Sequence, residues 1–66
     1  TIITYLNRKR IRVAKELLQN RSISIQYIAE QVGISDDAYF SRLFKKEEGI
    51  SPREYRSTLQ RAYISY

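Results

Sequence analysis

The 66-residue sequence has no cysteine, histidine, methionine or tryptophan, and it carries one proline and two glycines. Each absence excludes something. Without cysteine there is no disulfide, and without cysteine or histidine there is no structural zinc, so the usual staples of a small domain are missing and helix packing must suffice. The same gaps remove the common nucleophiles and bases. With no glycine loop to cradle a phosphate and too short a chain to enclose a cleft, neither an enzyme nor a cofactor or metal site is expected. Asp36 and Asp37 are adjacent, so on a helix their side chains diverge by about 100° and cannot act as a catalytic pair. No apolar run approaches the roughly 20 residues of a membrane span, and no basic-then-apolar leader is present. The expectation is a cytoplasmic protein with no membrane partner. Thr1 in place of a methionine start adds the expectation of a fragment of a larger protein.

Charge of one sign is in excess. Twelve Lys and Arg against seven Asp and Glu leave +5, and the isoelectric point is about 9.8. A positive field concentrates anionic partners, nucleic acid among them, although net charge also serves solubility alone.

Few breakers interrupt the chain, and its apolar residues recur at helical intervals, which predicts an all-α fold. Ile3, Leu6, Val13 and Leu17, flanked by Ile2, Ala14 and Leu18, give a long first helix over 1–19. Arg10 interrupts that stripe and needs either an acceptor, with Glu16 and Glu30 as candidates, or a route past the core edge. Ser24 then caps a short helix carrying Ile25, Ile28, Ala29 and Val32, which Gly33 ends. Ser35 is the expected cap of a third helix, with Asp36 and Asp37 against the positive end of its dipole. That helix-turn-helix occupies 24–48. Ser51-Pro52-Arg53-Glu54 starts a last helix over 51–62, with serine as cap, proline first and glutamate third. Tyr55 and Leu59 face inward, and Tyr63–Tyr66 is expected to fray. Thr1-Ile2-Ile3-Thr4-Tyr5 echoes Ser51–Tyr55, as though the first helix followed another copy of the same unit.

On the third helix, over 36–47, Phe40, Leu43 and Phe44 share one side with Tyr39 on their flank, and this side is core. The opposite side carries Ala38, Ser41, Arg42 and Lys45, with Asp37 and Lys46 at its margins. Small, polar and cationic residues in that order suit approach to base edges in a major groove. Arginine pairs with guanine, serine bonds several bases, alanine meets a thymine methyl and aspartate accepts from cytosine.

The segment SIQYIAEQVGISDDAYFSRLFKKEEGISPREYR closely resembles the second helix-turn-helix of AraC/XylS-type transcription regulators. The match lies in Ile28-Ala29, Val32-Gly33, Tyr39-Phe40-Ser41-Arg42, Phe44-Lys45, Gly49, Ser51-Pro52 and Tyr55-Arg56, while YLNRKRIRVAKELL resembles the linker helix before it. The resemblance implies sequence-specific binding to double-stranded promoter or operator DNA, with the helix over 36–47 in the major groove. It further implies that Asp37, Ala38, Ser41 and Arg42 face bases and that Ser24, Tyr27, Lys45 and Lys46 meet phosphates. Ile34 stands where phenylalanine is commonest, and Tyr27 where an acidic or small polar residue is frequent. RNA polymerase is a second candidate partner. The rival reading is a helical protein-interaction module that docks on polymerase or a partner protomer through the linker helix or the terminal tyrosines. Arg8, Lys9, Arg12 and Lys15 are expected on the solvated outer side of the first helix ahead of a DNA contact, and Arg53 and Arg56 in surface pairs with Glu54 or Glu48 ahead of a phosphate contact.

Overall fold

The computed structural model describes the backbone of residues 1–64 and the side chains of residues 1–59. Every element in that range is a helix: α1 Ile2–Leu17, α2 Ile25–Gln31, α3 Asp37–Glu48 and α4 Pro52–Ile64. α4 runs two residues beyond the expected Ala62, and Ser65 and Tyr66 of the segment expected to fray lie outside the described residues.

Local chemistry explains each start. The Thr1 hydroxyl oxygen accepts from the Thr4 amide at 3.2 Å, and that of Ser24 accepts from the Tyr27 amide at 3.0 Å. At α4 the Ser51 hydroxyl oxygen accepts from the Glu54 amide at 3.1 Å and the same hydroxyl donates to the Glu54 carboxylate at 3.1 Å. α3 differs from expectation. Its cap is Asp36, not Ser35: the Asp36 carboxylate accepts from the amides of Ala38 at 3.0 Å and Tyr39 at 3.3 Å. A carboxylate there satisfies two free amides and is also attracted to the positive end of the helix dipole, which a neutral hydroxyl is not. We therefore expect Asp36→Ala to lower stability by about 0.5–2 kcal/mol and Ser35→Ala to stay within about 0.5 kcal/mol in urea denaturation. The reverse order of costs would return the cap to Ser35.

Two glycines set the helix ends. Gly33, at φ 86°, follows α2; its amide donates to the Glu30 carbonyl at 3.0 Å and that of Ile34 donates to the Ala29 carbonyl at 2.9 Å. These are the two bonds of a Schellman turn, and they bring Ile34 into the core beside Ala29. Gly49, at φ 88°, ends α3 with its amide on the Lys45 carbonyl at 2.7 Å.

The core consists of Ile11, Ala14 and Leu18 of α1 and its end, Ile28, Ala29, Val32 and Ile34 around α2, and Phe40, Leu43 and Phe44 of α3. α3 lies at the centre and packs on each of the other three helices. Phe44 meets Phe40 at 6.0 Å between ring centroids, and Tyr55 of α4 meets Phe44 edge-on at 5.6 Å. Pro52 is also buried, and Leu59 is half-buried.

α1 corrects the sequence reading. Ile2, Ile3, Leu6 and Val13 are exposed, at 78%, 71%, 42% and 41%, and the buried stripe is Ile11–Ala14–Leu18 instead. Two apolar stripes lie side by side on this helix, and spacing alone does not say which one meets a partner. The buried one fades toward the N-terminus into Asn7 and Thr4. Arg10 lies half-buried in the exposed stripe beside Gly33, its Nη2 3.8 Å from where a Cβ would stand. It makes no ion pair with Glu16 or Glu30 among the described residues. Its guanidinium instead lines a groove of about 390 Å³ with Leu6, Lys9, Val13, Gln31, Val32 and Gly33.

Candidate nucleic-acid interface

α3 presents two unlike sides because its residues are anchored by three buried apolar groups on one of them. Phe40, Leu43 and Phe44 point inward and are at most 7% exposed. At about 100° per residue, Ala38, Arg42 and Lys45 fall opposite that core, and all three are exposed. They form one outward ridge. Ser41 lies at its margin and is half-buried, while Asp37, on the same margin, is exposed because it is the first helical residue. Lys46 is exposed on the other margin. Tyr39 is 43% exposed, on the flank as expected. On α2, Tyr27 is 46% exposed, and the Ser24 oxygen is committed to the cap while its hydroxyl hydrogen stays free to donate.

Arg42, Lys45 and Lys46 make no ion pair among the described residues. The acids at the far end of α3 are treated differently. Glu47 pairs with Arg8 Nε at 3.6 Å and Glu48 with Lys15 Nζ at 3.0 Å, and Lys15 also stands 5.9 Å from the centre of the Tyr55 ring. Lys15 is half-buried against α3, which corrects the expectation for it; Arg8 stays exposed while reaching Glu47, and Lys9 and Arg12 are exposed. Carboxylates at a helix C-terminus oppose the dipole, so cations there are favourable, and this was the available sequence signal. The pairs also leave the outward ridge as the free cationic side of α3.

Arg56 is the second correction among the charges. It does not pair with Glu48 or Glu54; its Nε donates to the Leu18 carbonyl and its Nη2 to the Asn20 carbonyl, both at 3.2 Å. Arg53 is exposed.

A short helix, a left-handed glycine turn and a second helix held by its aromatic side define a helix-turn-helix protein. The family follows from comparison: the model of a helix-turn-helix domain of the AraC type matches residues 1–58, and the chain belongs to that family. It is 51% identical over 57 residues to the uncharacterized HTH-type transcriptional regulator YisR of Bacillus subtilis, covering 86% of this chain and 20% of that protein. It is 41% identical over 56 residues to the HTH-type transcriptional regulator AlkR of Acinetobacter baylyi, covering 85% and 18%. To the HTH-type transcriptional activator RhaS of Escherichia fergusonii it is 46% identical over 52 residues, covering 79% and 19%. The chain thus spans about a fifth of the length of these relatives. No solved structure matches it. The family is one of transcription regulators, not enzymes. Among the described residues, no helix is long and apolar enough to cross a membrane.

Proposed function

We propose that α3 is the recognition helix of a bacterial transcription regulator and enters the major groove of promoter or operator DNA. Asp37, Ala38, Ser41 and Arg42 face the base edges, with Arg42 offering its planar fork to guanine. Lys45 and Lys46 meet phosphates, and α2 crosses the backbone with Tyr27 and the Ser24 hydroxyl against it. The observation that carries this reading is the Ala38–Arg42–Lys45 ridge standing opposite buried Phe40, Leu43 and Phe44. The chain forms one domain over 1–66, with 1–19 as linker helix, and is a fragment of a larger protein.

One helix-turn-helix makes few directional contacts. The chain alone is expected to bind duplex DNA with a dissociation constant of about 10⁻⁴ to 10⁻⁶ M at physiological salt. Fluorescence anisotropy with labelled promoter DNA measures it. Nanomolar, sequence-selective binding would overturn the single-unit limit, and no binding at low salt would overturn the DNA reading.

A second reading, docking on RNA polymerase or a partner protomer, draws support from the exposed Ile2, Ile3, Tyr5 and Leu6 of α1. The terminal tyrosines first considered for it, Tyr63 and Tyr66, have side chains outside the described residues. This reading wins if Leu6→Asp abolishes a partner contact while Arg42→Ala leaves DNA affinity untouched.

A further inference from the structure

α2 and α3 each run out into a glycine with positive φ, but α1 does not. It ends at Leu18, with φ −64° and ψ −18°, and continues into Gln19-Asn20-Arg21-Ser22, which contains no glycine or proline. Its last turn closes partly on itself, the Gln19 amide donating to the Glu16 carbonyl at 3.2 Å and the Asn20 amide to the Leu17 carbonyl at 3.0 Å. The Leu18 carbonyl takes its bond instead from Arg56 of α4, 38 residues away, which also reaches the Asn20 carbonyl, 36 residues away, through the two 3.2 Å bonds described above. Asn20 in turn holds the rest of the corner. Its side-chain oxygen accepts from the Ser22 amide at 2.9 Å, and its carbonyl accepts from the Ile23 amide at 3.4 Å. A planar guanidinium spans two carbonyls in a way a lysine ammonium does not, and its charge sits at the negative end of the α1 dipole.

We propose that Arg56 is a positioning residue for DNA binding: it clamps the corner between α1 and α2 and so sets the pose of α2 and α3 on DNA without touching DNA itself. The inference rests on the reading of α2 and α3 given above. α2 and α3 pack on one another across the Gly33 turn and share one core. They meet α1 both through residues 18–24 and through the packing of α3 on α1, so a change at the corner alters one of the two joints that set where the ridge on α3 stands. Arg56 is half-buried with its Nε and one terminal nitrogen committed to α1. An exposed phosphate-binding arginine would hold neither bond.

Salt dependence separates the two roles, because each phosphate contact adds about 0.9 to the slope of log K against log salt. The chain, Arg56→Ala and Arg56→Lys are titrated with labelled duplex DNA at several salt concentrations. Affinities are corrected for the folded fraction from urea denaturation, and amide exchange is followed at Ser22 and Ile23. Arg56→Ala is expected to weaken binding on the order of tenfold, part of the weight of the two charge-assisted hydrogen bonds it removes, with the rest falling on stability. The slope should stay at the parent value, and exchange at Ser22 and Ile23 should accelerate. Arg56→Lys, with the charge but not the fork, should fall between the two. A slope shallower by about 0.9 would make Arg56 a phosphate contact, and unchanged affinity of the folded fraction would make it a fold staple only; either overturns the proposal. If Arg56→Ala does not fold, Arg56→Lys decides by the same readouts. Failure of the parent chain to bind DNA would remove the DNA reading and the positioning role with it, whereas unchanged exchange would remove the clamp alone.

Discussion

Phe44→Ala is expected to leave the chain largely unfolded at room temperature. Phe44 has no exposed surface, and it is the ring on which α4 closes: Phe40 packs on it from its own helix and Tyr55 edge-on from α4. Removing a buried phenylalanine costs about 3–5 kcal/mol, part transfer and part cavity. The single core of a chain this short rarely supplies more than about 3–5 kcal/mol, and there is no disulfide with which to resist. The loss also spreads, because α3 is the helix that all the others touch. Far-UV circular dichroism during urea titration reads the result, with Tyr39→Ala as the control. Tyr39 lies on the same helix but stands 43% exposed, so its removal should cost much less. A Phe44→Ala chain that keeps the parent's midpoint would show that α4 is held by something other than the Phe44–Tyr55 contact.

The parts of this fold that were legible in the sequence are those decided within a turn or two of chain. Ser24 and Ser51 announce their helices because a cap hydroxyl and the amide three residues on are fixed by local geometry. Gly33 and Gly49 announce helix ends because few other residues adopt positive φ. Phe40, Leu43 and Phe44 fall on one side by the helical period alone, and the small, cationic side opposite them is what remains. Ser35 and Asp36 show where locality stops helping. Both are good caps, they are neighbours, and which one supplies the oxygen depends on the exact exit from the Gly33 turn. α1 shows the next limit. Its two apolar stripes are equally periodic, so the choice of Ile11–Ala14–Leu18 over Ile3–Leu6–Val13 is made by the shape of α2 and α3. Arg56 shows the furthest limit, because no local rule connects it to carbonyls 36 and 38 residues away.

The ion pairs between α1 and the end of α3 have a meaning beyond their small energies. Exposed and half-exposed pairs of this kind contribute about 0–1 kcal/mol each, too little to hold the helices together. What they do is sort the charges. Glu47 and Glu48 are drawn toward Arg8 and Lys15, while Arg42, Lys45 and Lys46 remain without acids among the described residues. These three cations are thereby left without acids on the side of α3 turned away from the core.

Arg42→Ala is expected to erase most of the sequence preference while leaving the protein folded. Arg42 is exposed and bonds to nothing among the described residues, so its loss opens no cavity and strands no partner, and stability should shift by no more than about 0.5 kcal/mol. A bidentate arginine–guanine pair is worth about 1–3 kcal/mol of discrimination against the wrong base, which is roughly five- to more than a hundredfold in relative affinity. The effect is best read in a longer protein that contains this chain, at a site selected from random duplexes and at single-base variants of it. Lys45→Ala supplies the contrast. A phosphate contact carries no sequence information, so that change should weaken all sites alike and make the salt slope shallower by about 0.9. The two signatures are orthogonal: Arg42 alters the ratio between sites, and Lys45 alters the common scale. If Arg42→Ala leaves the ratio intact, the ridge opposite Phe40 and Phe44 does not read bases, and discrimination must come from elsewhere in the longer protein.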